Sequence, residues 1–137
     1  NATVGNGTFY DGNGNAIGTF TAVGLNELKL RGDDTVKGLF TLVNNGNYSL
    51  NSGKTAVDAH KLSVTASSLD STTYNIDIKG AGQGSGVNGY TSLMQQGGVA
   101  KGQITGTGSN GVVLNGIATG SYSSNSISLT GAGSWRK

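Results

Sequence analysis

His60 is the only imidazole in the 137-residue chain, so any chemistry that needs histidine has to use it. It alternates with Leu62 and Val64, which places it on the inward face near the start of a strand. Asp58 shares that face and could orient the ring, but no GxSxG elbow or other nucleophile signature accompanies the pair. Asp33 and Asp34 are adjacent acids on a turn, a pattern of solvated carboxylates rather than of a hydrolytic acid–base pair. Cysteine is absent, which excludes a thiol nucleophile, a disulfide framework, a zinc finger and an iron–sulfur site. These residues predict a protein that is not an enzyme and takes no cofactor.

Other spacings suit binding. Asp11-x-Asn13-x-Asn15 copies the first three ligand positions of an EF-hand loop. The sixth position is Ala16 instead of glycine and the twelfth is Ala22 instead of glutamate, so a hairpin turn accounts for these residues better than calcium does. Arg31-Gly32-Asp33 is a tripeptide that many integrins recognise, and it falls at a hairpin tip. Tyr48, Tyr74, Tyr90 and Tyr122, with Trp135, offer aromatic faces of the kind that stack on sugar rings, with Asn and Asp available for hydroxyls. Arg31, Gly32, Asp33, Tyr90, Tyr122 and Trp135 are therefore the candidate ligand or adhesion residues. No Lys or Arg is interleaved with the tyrosines, so nucleic acid is not an expected partner.

The elements that must position these residues follow a period of two. In Tyr74-Asn75-Ile76-Asp77-Ile78-Lys79 the apolar side chains all face one way. Leu28 with Leu30, Leu62 with Val64, and Ile127 with Leu129 repeat the pattern, as half-buried antiparallel strands do. Stretches 36–43 and 112–118 are more continuously apolar. Turn-forming residues separate them at 11–15, 32–34, 44–47, 109–111 and 123–125, and the glycine-rich stretch 80–89 reads as a loop or bulged connection. Glycine interrupts nearly every window long enough for a helix. The expectation is one glycine-rich, all-β domain over residues 1–137, an antiparallel β-sandwich or β-barrel of about ten short strands.

Composition bears on function through surfaces. Gly, Asn, Ser and Thr fill half of the chain, proline is absent, and the net charge is +2. All seven acids precede residue 78, leaving a C-terminal half with only Lys101, Arg136 and Lys137 charged. Apolar runs of three or four residues exclude a membrane-spanning helix, and no membrane insertion is expected. Glycines inside good strand windows (38, 102, 106, 116, 120 and 131) imply tight coiling, bulges or close approach of another backbone. Few charges and no proline leave sheet edges without their usual protection, so either a barrel closes or an edge pairs with another chain.

The second alternative predicts a structural subunit of an extracellular polymer, a pilus or matrix fibre of identical copies joined by strand complementation. Residues 1–10 are the candidate donor strand, uncharged, with Ala2, Val4, Phe9 and Tyr10 as its assembly residues. The acceptor would lie among 98–106, 112–120 and 126–132. The competing expectation is a secreted glycan- or receptor-binding sandwich or barrel. A chain beginning at Asn1, with Asn-x-Ser/Thr sequons at Asn1, Asn6 and Asn47, points to export and a secreted, extracellular or cell-surface location.

Overall fold

The computed structural model describes every residue except 33, 34, 83, 85–88 and 90. The described residues form nine strands: β1 (Ala2–Tyr10), β2 (Ala16–Ala22), β3 (Glu27–Arg31), β4 (Lys37–Leu50), β5 (Lys61–Ser68), β6 (Thr73–Gly80), β7 (Val99–Gly108), β8 (Val113–Tyr122) and β9 (Ser126–Arg136). All pairings are antiparallel and they return on themselves. β1 pairs with β5 on one edge and with β2 and then β3 on the other, and both of these pair with β4. β4 continues through β9, β8, β7 and β6 back to β5. The result is a closed barrel of eight staves, with β2 and β3 sharing one.

Closure consumes the segment expected to serve a neighbouring subunit. Residues 1–10 run as β1, and Ala2, Val4 and Phe9 lie in this chain's own core. Val4 and Phe9 can both face inward because the β1–β5 register slips between Val4 and Gly7, a bulge that switches the side-chain parity. Tyr10, half-buried, pairs across the ladder with Lys61, whose Nζ sits 4.7 Å from the tyrosine ring centre. The expected acceptor strands β7, β8 and β9 likewise have partners on both edges.

The interior is filled. All three phenylalanines (Phe9, Phe20 and Phe40) are fully buried, with Leu28, Leu42, Leu62, Ile76, Ile78 and Ile104 around them. The strand glycines make room for this. A Cβ on Gly116 would lie 2.8 Å from the Phe40 ring and one on Gly133 2.6 Å from it, so the ring packs onto bare backbone on two neighbouring staves.

Two links between strands adjacent in sequence are long: residues 81–98, which join β6 to β7 and carry a short 3-10 turn at Gln96–Gly98, and residues 51–60. The latter cross one end of the barrel from β4 to β5 and carry a short 3-10 turn at Ala56–Asp58. Leu93 and Met94 fold into that same end, both fully buried, with Leu93 N–H donating to the Ala59 carbonyl at 2.8 Å.

One expectation needs correction. The described residues form nine strands, close to the number expected, but β4 is not short: its 14 residues run straight through Asn44-Asn45-Gly46-Asn47, which read as a turn. The reason is tertiary. Asn44 is fully buried and donates to Asn26 Oδ1 at 2.9 Å; Asn45 N–H donates to the same oxygen at 2.7 Å. A side chain on Gly46 would collide with the Thr21 carbonyl and the Phe20 ring. Much of the 80–89 stretch lies outside the described residues; Gly80 itself ends β6.

Candidate functional site

The mouth of the barrel at the crossover end is the site the structure offers. Tyr48 stands near the end of β4 and Tyr122 is the last residue of β8, and both are half-buried against the edge of the core. With Leu50, Ala56, Lys54, Thr55 and Ser123 they line an open cleft of about 510 Å³, and mouths of β-barrels are favoured places for ligands.

Both rings are held in place. Tyr122 Oη donates to the Gln95 carbonyl at 2.6 Å, and Tyr48 Oη donates to the Ser123 carbonyl. The Phe9 ring meets Tyr48 edge-on, 5.9 Å between centres. Burial raises the Tyr48 hydroxyl above the ordinary tyrosine range, and the neighbouring Tyr122 adds to the effect, so the phenol stays a proton donor at neutral pH. The turn between β8 and β9 is closed by Ser123 N–H donating to the Ser126 carbonyl at 2.8 Å, and the two serine hydroxyls are 2.7 Å apart. Near this end two buried polar groups, Gln95 Nε2 and Thr91 Oγ1, have no partner. Aromatic faces locked by backbone bonds, beside serine and threonine hydroxyls and one ammonium, suit a neutral, hydroxyl-bearing ligand better than an apolar or strongly anionic one.

The other predicted residues are not brought to this mouth. Trp135 and Tyr122 do not share a site: Tyr122 stands opposite Ile127 on β9, eight residues from Trp135, or roughly 26 Å at strand rise. Trp135 belongs to the opposite end, where its Nε1 donates to the Arg31 carbonyl at 2.8 Å and its ring lies against Gly32. Asp33 and Tyr90 lie outside the described residues, so the tripeptide and the Tyr90 reading receive no geometry.

The His60–Asp58 pairing does not form. The Asp58 carboxylate caps the 3-10 turn, accepting from Thr55 N–H at 2.8 Å and Thr55 Oγ1 at 3.2 Å. The His60 ring packs over the β1–β2 hairpin, where a Cβ on Gly12 would lie 3.0 Å from it. Asp11 Oδ1 accepts from Asn13 and Asn15 N–H, both at 2.9 Å, and these bonds close the β1–β2 hairpin turn. Among the described residues no three His, Asp or Glu side chains gather as a metal site.

Neither known protein families, curated sequences nor solved structures provide a match to this chain. Its function therefore rests on its own geometry.

Sequence reasoning noted Tyr48 only as one aromatic among several, and it missed Leu50, Lys54 and Thr55 altogether. The alternation that carries Phe40 and Leu42 inward continues to Tyr48, a signal visible only once 44–47 are read as strand.

Proposed function

We propose that this domain is a non-enzymatic binding module of an extracellular or cell-surface protein, taking a hydroxyl-rich ligand such as a glycan at the Tyr48–Tyr122 mouth. The observation that carries the proposal is that pair of rings. Each is fixed by a bond from its own hydroxyl to backbone, so the aromatic faces need no ordering on binding. The filled core supports a surface site over an internal cavity. The barrel wears Thr, Ser, Asn and Lys outside and apolar residues within, the reverse of a membrane barrel, which supports a domain working in water. Exposed Asn1, Asn6 and Asn47 of the sequons accord with display outside the cytoplasm.

A closed ring supports this reading over strand-donated polymer assembly, because lending β1 to a neighbour would strip Val4 and Phe9 from the core. The test is a screen of neutral oligosaccharides against the intact domain and its Tyr122→Ala variant. Saturable binding that falls at least about tenfold in the variant, with the fold retained by NMR, is the expected outcome. Binding indifferent to Tyr122, or none across the screen, overturns the site. Filaments of the intact domain in negative-stain microscopy would restore the polymer reading.

A further inference from the structure

The opposite end of the barrel holds a second and larger cleft, of about 700 Å³, lined by β3, β4 and β9. Its floor is apolar and rigid. The Trp135 indole is fixed by its bond to the Arg31 carbonyl and packed onto bare backbone, where a Cβ on Gly38 would lie 2.5 Å from Nε1. Leu39 lines the same cleft, 68% exposed, and adds an accessible aliphatic surface next to the indole.

Two arginines stand at the rim: Arg31 ends β3 and Arg136 ends β9, and both are exposed. The ion pairs among the described residues are Lys29–Glu27 and Lys61–Asp77, and neither engages Arg31 or Arg136. An apolar centre flanked by two arginines matches the anatomy of a protein-docking hot spot, whereas a free inorganic anion would make no use of Leu39.

We propose that this cleft docks an acidic peptide segment of a partner protein. An apolar side chain of the segment seats on Leu39 and the edge of Trp135, and its carboxylates face Arg31 and Arg136. This does not depend on the Tyr48–Tyr122 mouth, which lies at the other end.

The chain has one tryptophan and it lines the cleft, so intrinsic fluorescence reads the site directly. The probe is a capped Glu-Glu-Leu-Glu-Glu peptide, compared with the same peptide carrying glycine for leucine, with its glutamine counterpart, and with sodium phosphate. The expected result is a saturable change with the leucine peptide, weakened at least about tenfold by the double substitution Arg31→Gln and Arg136→Gln, and similarly by Leu39→Ser. All three side chains are exposed, so the fold should survive. The glycine and glutamine peptides should bind at least about tenfold more weakly, and the Tyr122→Ala variant should bind like the parent. Equal affinity in the double variant, a response to phosphate as strong as to the leucine peptide, or no saturable change overturns the proposal.

Discussion

Asn26 uses both ends of its side-chain amide to join three segments of the fold. Its side-chain oxygen accepts from Asn44 Nδ2 and Asn45 N–H, while its amide donates to the carbonyls of Val23 and Gly24 at 3.2 and 3.3 Å. Those bonds hold the kink where β2 passes into β3 on their shared stave, and the Asn26 carbonyl accepts from Val4 N–H at 3.1 Å. Asn26→Ala strands one buried amide and one backbone N–H, so a loss of about 2–3 kcal/mol is expected. Asn44→Ala should cost less, because Asn44 Oδ1 is already without a partner and its removal relieves that burden. Urea denaturation of the two variants checks the order; an Asn44 variant less stable than the Asn26 variant would contradict the network as described.

At the scale of elements, two features make predictions. A Cβ on Gly131 would collide with Ile104 Cδ1, so Gly131→Ala overpacks the interior and should destabilise by about 1–3 kcal/mol. Combining it with Ile104→Val should give a loss smaller than the sum of the two, because the shorter side chain vacates the space the methyl needs. A double-mutant cycle measures that coupling; strict additivity would mean that Ile104 and Gly131 do not share the space.

The turns supply the second. Asp11 is held below the ordinary carboxylate range chiefly by the Asn15 N–H bond, and Asp70 chiefly by the Ser68 hydroxyl. The folded chain thus keeps these groups ionised to lower pH than the unfolded chain does. Their contribution is complete above the ordinary carboxylate pKa of about 4 and is lost as pH falls through the depressed values. Thermal melts from neutral to strongly acidic pH should show a shallower acid loss in an Asp11→Asn, Asp70→Asn double variant than in the parent. An identical acid limb in both would remove the turns from the acid response.

The whole molecule depends on one closure. β1 must find β5, some sixty residues along the chain, and β9 must find β4 across a still longer separation. Deleting residues 1–10 removes Val4 and Phe9 from the core and leaves β5 with an open edge. The truncated chain is expected to lose its dispersed NMR spectrum, and a synthetic 1–10 peptide should restore it in part. A truncated chain that stays folded and monomeric would mean that the ring does not need this stave. Folding should be slow for a chain of this size, in the millisecond-to-second range, because closure joins distant segments. Stopped-flow refolding measures it.

Much of this architecture can be read from residue order alone. Alternation in 74–79, at Leu62 and Val64, and at Ile127 and Leu129 established strands with one buried face, and glycine frequency excluded long helices. The turn at 11–15 followed from Asp11, Asn13 and Gly14, whose preferences are local and survive in any context.

What the tertiary structure decided lies wherever local preference was overruled. Asn44 to Asn47 prefer turns, yet they extend a strand because Asn26 and Phe20, distant in sequence, need a hydrogen-bond partner and an empty wall there. Whether residues 1–10 would serve this chain or another was equally open, since an uncharged apolar strand suits either role. Its place here came from the bulge before Gly7, which turned Val4 and Phe9 toward the same core. Likewise Tyr122 and Trp135 looked alike as aromatic candidates, and the length of β9 alone put them at opposite ends. Burial, closure and separation in space are properties of distant pairs, and no short window of sequence contains both members.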